Sequence, residues 1–289
     1  MDRRTALLSL SGGAAAMLGG CQTLTASGHG VRPDNKVDTD FLSFDSKLEE
    51  FEAHFRIERD LVADQGETVN WYFWMAYIVP DGHTPQPFVR NEGIEYSYFR
   101  KVAENTYRIH AHNISYPRSL QTNKYADVLE NPITGKLVKP KPVLLLNDPG
   151  TVHSPAGFRN LSGTGSYVEP YRQFRIQNDL VKLDSVRTAP PDWPVKHMES
   201  STQWASLEAF NDKSLTSVPS RATGVYIFPY PEWLEMGDIG GHMLGYWDSV
   251  KLPRISDIPD EFLSFLENKH PELLRARWED FDRPAPFAY

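Results

Sequence analysis

One cysteine, Cys21, stands in a chain of 289 residues. No intramolecular disulfide can form, so the fold must be held by burial. Basic side chains are the minority, 30 against 38 acidic, for a formal net charge of −8. No block of Lys or Arg interrupts that balance, and a surface that tracks nucleic-acid phosphates is not expected. Mean hydropathy is −0.47, which excludes a polytopic membrane protein. The 19 Gly and 22 Pro are scattered, and aromatics reach 12%; collagen-like and broadly disordered chains are excluded. Familiar catalytic signatures are missing as well. Gly163-Thr164-Gly165 lacks the third glycine and the strand-to-helix setting of a phosphate loop. Ser154 has Val152 and Ala156 where a nucleophile elbow needs glycine, and neither C-x-x-C nor H-E-x-x-H occurs. These absences weigh against nucleotide enzymes, α/β-hydrolase chemistry and the common zincins. No organic cofactor is expected.

The first residues read as an address. Arg3 and Arg4 form a charged start, followed by a Gly- and Ala-rich apolar stretch from Ala6 to Leu18. That stretch is shorter than the ~20 residues a spanning helix needs, and it fits a cleaved export signal over residues 1–20. The paired arginines resemble a twin-arginine signal. Leu18-Gly19-Gly20-Cys21 resembles a bacterial lipobox, in which Cys21 is lipidated and becomes the new N-terminus. The competing reading is a plain secretory signal with an incidental cysteine. Residues 21–37 read as a polar tether and 38–289 as one domain. The expected location is the periplasmic face of a bacterial membrane, held there only through lipid.

Alternating patterns dominate the domain. Val69–Val79 carries Trp71, Phe73, Met75 and Tyr77 on one side and Tyr72, Trp74, Ala76 and Ile78 on the other, as in a strand covered on both faces. Further strands are expected at His54–Leu61, Ile94–Val102, Thr106–Ile114, Lys136–Leu146, Tyr167–Gln177 and Gly224–Tyr230. Asp64–Glu67, Ala103–Asn105 and Asn131–Lys136 read as turns. Helical spacing occurs at Asp45–Ala53, Ser206–Leu215 and Pro259–Asn268, the last with Ser256 or Asp257 as cap and His270-Pro271 as its end. The fold class read here is mainly β, a barrel-like or strongly curved antiparallel sheet with a few peripheral helices, mostly C-terminal. No repeat or long linker divides it.

Two stretches carry a resemblance. One runs from Tyr125-Ala126-Asp127 through Asn131-Pro132-Ile133-Thr134-Gly135-Lys136 to Leu146-Asn147-Asp148-Pro149. The other runs from Pro231-Glu232-Trp233-Leu234-Glu235-Met236-Gly237 through Gly241 and Gly245 to Lys251-Leu252 and Ile258-Pro259. Together they resemble the bacterial and fungal proteins grouped as domain of unknown function eighteen thirty-eight, over roughly residues 40–280. Lys136 stands where that pattern has an acid, and Asp248-Ser249-Val250 replaces an expected glycine before Lys251. The resemblance implies a single domain and brings no reaction and no catalytic residues with it.

The strand with the most chemistry is Tyr107–Asn113. Alternation puts Arg108, His110 and His112 on one face. The two histidines, ~6.6 Å apart if extended, can reach one substrate or one metal. A guanidinium beside them favours an anionic ligand and neutral imidazoles. Tyr98, on the neighbouring strand of a hairpin, can offer a phenol to the same place. Asp148 and His153, beyond the apolar strand Val143–Leu146, can form an acid–base pair. Solvated strand faces and simple turns are the competing readings, and Trp233, Met236, Tyr246 and Trp247 read as core. The functional expectation is a cofactor-independent acid–base enzyme, lyase- or isomerase-like, for a small hydrophobic, aromatic or carboxylated molecule. Its residues would be Arg108, His110, His112, Tyr98, Asp148 and His153. One alternative is a carrier or sensor of the same ligand. Another is a metal enzyme using His110 and His112, with His153, His242 or Glu95 as third ligand.

Overall fold

The computed structural model describes residues 39–162, 168–189 and 197–285. The export signal, Cys21 and the tether lie outside the described residues, as do Gly163-Thr164-Gly165 and Tyr167.

Long alternating runs build a meander of antiparallel strands. Strand β2 (Gln65–Pro80), β3 (Gln86–Ala103) and β4 (Thr106–Arg118) are its centre. Five more strands form one wing: β10 (Val168–Gln177), β11 (Leu180–Thr188), β12 (Met198–Ser206), β13 (Ser220–Phe228) and β14 (Gly241–Leu252). Short strands β1 (Thr39–Phe41), β7 (Val143–Leu146), β8 (Thr151–Ser154) and β9 (Gly157–Asn160) finish the edges. The order is β1-β10-β11-β12-β13-β14-β2-β3-β4-β8-β9, with β7 also on β4. The path ends at β1 and β9, so the sheet is open and not a closed barrel.

Helix α1 (Lys47–Glu58) shows how strongly the sheet curves. Phe51 and Phe55 pack on Phe99, Tyr107 and Ile109 of β3 and β4. Ala53 and Ile57 pack on Phe174, Val181 and Leu183 of β10 and β11. One helix thus touches both β3–β4 and the β10–β11 end of the wing, and fills the gap that closure would have filled. Ser46 caps it, its hydroxyl accepting from Glu49 N–H at 3.2 Å while Glu49 Oε2 accepts from Asp45 N–H at 2.9 Å. Buried Arg56 fixes its far end through the carbonyls of Leu215, Phe210 and Asp212. The expected strand over His54–Leu61 is therefore wrong: the helix continues to Glu58. Phe51/Phe55, Ala53/Ile57 and His54/Glu58 are i,i+4 pairs, a spacing that the short alternation of Phe55, Ile57 and Arg59 obscured.

A second layer lies on the outer face. Val69 and Trp71 of β2, Ile94 and Tyr96 of β3 and Ile114 of β4 meet Ile258, Phe262, Leu266 and Leu273. Phe262 and Leu266 come from helix α3 (Asp260–Lys269), and Phe265 stacks on Tyr125 with centroids 4.1 Å apart. Pro259, not Ser256 or Asp257, occupies the N-cap of α3, with no side-chain cap. Helix α2 (Leu207–Asn211) is shorter than its sequence signal. The expected strand Lys136–Leu146 is split: β5 (Leu129–Glu130) pairs β6 (Leu137–Val138) across the Asn131–Lys136 turn, and β7 begins only at Val143. Pro140 and Pro142 supply no ladder N–H between them. Residues Gln65–Glu67, read as a turn, already belong to β2.

The two stretches that carried the resemblance pack against each other. Buried Asn131 donates to the carbonyl of Leu234 at 2.8 Å and to Met236 Sδ at 3.3 Å, while its side-chain oxygen accepts from Ile133 N–H at 2.9 Å. Lys136 faces Glu235 at 3.6 Å. The turn and the Trp233–Met236 segment, with Val138 and Leu234, plug one end of the curved sheet.

Candidate functional site

The β3–β4 hairpin brings four of the expected residues together. In register, Tyr98 lies opposite His110 and Tyr96 opposite His112. Arg108, His110 and His112 are only 0%, 1% and 2% exposed, so the solvated-face reading fails. They point outward, however, and what covers them is the protein's own C-terminal segment. Arg108 donates to the carbonyls of Pro149 and Arg283. His112 Nδ1 bonds the carbonyl of Leu273 at 3.0 Å, and His110 Nδ1 that of Asn147 at 3.2 Å. Phe281 closes edge-on over His110, with centroids at 4.8 Å. Asp280, itself buried, accepts from the Tyr98 hydroxyl at 2.7 Å and from Arg277 and Arg283 at 2.9 and 2.8 Å.

The electrostatics follow from this enclosure. Burial, and then the charge of Arg108, lowers His110 to about 4. Burial also lowers His112, against the pull of the Leu273 carbonyl. Burial and the bond to Asp280 raise Tyr98. Both shifts favour the neutral imidazole, but Arg108 contributes to that of His110 and not to that of His112, and the partners of the guanidinium are carbonyl oxygens and not a ligand.

The expected pairing of Asp148 with His153 is not formed. Asp148 bonds Arg283 at 2.9 Å on the outer side. His153 lies opposite Tyr107, on the inner face. Alternation separates them, since β4 presents Arg108 outward and Tyr107 inward. Glu95 faces inward too. Among the described residues no group of three His, Cys, Asp or Glu side chains is placed to hold a metal.

The inner face holds a cavity of about 720 Å³. One wall is aromatic, made by Tyr72 and Trp74 of β2, Tyr226 and Phe228 of β13, and Trp247 of β14. Three cross-strand pairings create the room: Tyr72 with Gly93, Gly224 with Trp247, and Tyr226 with Gly245. A Cβ on Gly224 would meet the Trp247 ring at 2.7 Å, and one on Gly93 would meet Tyr72 at 2.5 Å. Only glycine lets these rings lie down on the sheet.

The other wall is charged. His54 and Glu58 of α1 face Arg187 of β11, Glu199 of β12 and Lys251 of β14, with Arg59, Glu95 and His153 beside them. Glu58 accepts from Arg187 at 3.1 Å and from Gln203 at 3.0 Å, and lies 3.0 Å from His54 Nε2. Burial opposes its charge, but His54, Arg187 and Arg59 hold the carboxyl well below the usual range. Arg59 pairs with Glu95 at 2.8 Å. Burial raises Glu199, reinforced by the charges of Glu95 and Glu58 and opposed by Arg187. Lys251, lowered chiefly by burial and then by Arg59, lies at about 7, and burial takes His153 to about 3. The lining carries the cations Lys47, Arg59, Arg172, Arg187, Arg221 and Lys251 against the carboxylates Glu50, Glu58, Glu95 and Glu199. In a chain of net charge −8, this interior is locally positive.

Of the six residues expected to carry acid–base chemistry only His153 reaches the cavity, and Glu95, the candidate third metal ligand, reaches it as well. Trp247, read as core, lines it, and Tyr246 is 48% exposed. His242 opens β14 opposite Val79. Sequence reasoning missed Glu58, Arg187, Glu199 and Lys251. Three signals were there to find: the i,i+4 pair His54/Glu58, the alternation of Leu183, Ser185 and Arg187, and Lys251 two steps beyond Ser249 on the strand that carries Trp247. No family model matches the chain, and no curated protein matches it.

Proposed function

We propose that this protein is an exported, lipid-anchored enzyme whose inner cavity takes a small aromatic carboxylate and performs cofactor-independent proton chemistry on it, an isomerisation, elimination or hydration. The size supports a small molecule, since ligand pockets run from about 300 to 1,000 Å³. The aromatic wall supports a ring, and Arg59 and Arg187 support an anion. The observation that carries the reading is that one cavity holds an acid and a base whose proton affinities burial has moved in opposite directions, Glu199 upward and Lys251 downward. Burial thus favours the neutral form of both groups, which suits one to donate a proton and the other to accept one. The outer cluster of Arg108, His110, His112 and Tyr98 is then a structural latch that holds the C-terminal segment in place.

The test is thermal unfolding of the full chain with a panel of aromatic carboxylates, matched aromatic amines and aliphatic acids. Saturating aromatic carboxylate should stabilise by about 3 kcal/mol at a hundred times Kd, and Arg187→Met should remove most of the effect. Equal stabilisation by the amines would refute the anion preference.

A further inference from the structure

Lys251 occupies an unusual position in this cavity. On β14 it shares the inner face with Ser249 and Trp247, and on β2 it lies opposite Asn70, also a lining residue. Its Nζ donates to the carbonyls of Arg56 and Arg59 at 2.8 and 3.0 Å, at the end of α1. Among the described residues no carboxylate comes within salt-bridge distance of it. The two carbonyls and Cε account for three of the four tetrahedral directions of Nζ, which leaves one for a lone pair or a further proton, on a residue that lines the cavity. Arg59 and Arg187, on the same wall, pair with Glu95 and Glu58, and the buried Arg59 Nε has no hydrogen-bond partner among the described residues and can donate to a ligand carboxylate.

We propose that Lys251 is the nucleophile of this cavity and forms an iminium ion with an aromatic aldehyde or oxo-acid. The proposal rests on the ligand class argued above and narrows it to carbonyl compounds. The Nζ lone pair adds to the carbonyl carbon and the C=O π pair moves to oxygen. After proton transfer from nitrogen to oxygen the product is a carbinolamine. One further proton from solvent then lets the hydroxyl leave as water while nitrogen forms the C=N bond. The balance is amine plus carbonyl plus one proton giving iminium plus water, with no redox partner. An ordinary lysine, near 10.4, is almost wholly protonated at pH 7 and cannot start this step. With Lys251 lowered to about 7, a substantial fraction carries the free amine at that pH. The iminium withdraws electrons from the neighbouring carbon, which is what proton chemistry next to a carbonyl requires.

The probe is 4-carboxybenzaldehyde with sodium cyanoborohydride, applied to the full chain at pH 7 and read by intact mass and peptide mapping. The expected result is a single reduced adduct on Lys251, formed at least about tenfold faster than on any other lysine, as the difference in free-amine fraction allows. Terephthalate, which has the carboxylates and no aldehyde, should suppress it. Lys251→Arg keeps a donor for the two helix carbonyls; it should lose the adduct and still be thermally stabilised by terephthalate. Labelling spread over surface lysines, with terephthalate still stabilising the protein, would overturn the nucleophile and leave the cavity reading in place. Neither selective labelling nor stabilisation would overturn both.

Discussion

Asp280→Ala separates a latch from a reaction site on the outer face of β3 and β4. Asp280 is 1% exposed and accepts from Tyr98, Arg277 and Arg283. The two arginine side chains are 30% and 51% exposed, so they turn to water when the carboxylate goes; each such pair is worth about 0–1 kcal/mol. Tyr98, also 1% exposed, has no such exit. Its remaining neighbour is His112 Nε2 at 3.4 Å, a poor acceptor at that distance. A buried hydroxyl without a partner costs about 1–3 kcal/mol. The sum is about 1–5 kcal/mol, or a fall in Tm of roughly 2–20 °C for a domain of this size. Circular dichroism during thermal and urea unfolding reads it directly. Adding Tyr98→Phe removes the stranded hydroxyl, so the double variant should recover about 1 kcal/mol or more relative to additivity. Cavity binding should stay within about twofold, because separated sites behave independently. A loss below about 0.5 kcal/mol would refute the latch. Unchanged stability with abolished ligand binding would restore Arg108, His110 and His112 as the reaction site.

Other consequences follow from the same structure. His110 and His153 sit at about 4 and about 3 when folded, below the ordinary 6.5, so the unfolded chain takes up protons first. The contribution of these two histidines should be full above pH 6.5 and decline as pH falls towards 4, by on the order of 3 kcal/mol from His110 alone; a flat urea-unfolding profile across that window would contradict it. Gly224→Ala should push the Trp247 ring off the sheet and weaken aromatic carboxylate binding roughly tenfold, read by tryptophan fluorescence; unchanged affinity would show that the ring does not bound the site. Cys21→Ser should release the protein from the membrane fraction, and an intact Met1 on mature wild-type protein would end the lipidation proposal.

Much of the architecture was legible because it rests on period. The both-faces-covered pattern of Val69–Val79 is met in β2, with Val69 and Trp71 outward and Tyr72 and Trp74 lining the cavity. The hairpin across Ala103–Asn105 puts Tyr98 opposite His110 as alternation required. Period alone does not say which face is inner. That depends on the curvature of the whole sheet and on α1 filling it, and both are set by contacts far apart in sequence, such as Phe55 with Tyr107 at 4.5 Å. Hence Arg108, His110 and His112 were grouped correctly and placed on the convex side. The polar strands β11 and β12 were missed for a related reason. Leu180–Thr188 and Met198–Ser206 carry Lys182, Asp184, Arg187, Glu199 and Gln203, charges and amides that look like loop until a polar cavity gives them an inside to face. Lys251 was visible only as part of a resembling segment, because its meaning comes from the end of α1.

The central claim is that the inner cavity, and not the outer cluster, is where a small aromatic anion is held. A crystal structure of the full chain with the most stabilising aromatic carboxylate tests it most directly. The account predicts the ring against Trp247 and Tyr226, its carboxylate on Arg59 or Arg187, and the Tyr98–Asp280 bond intact. A ligand seated on Arg108, His110 and His112 with the C-terminal segment displaced, or a cavity left without ligand at saturation, would contradict it.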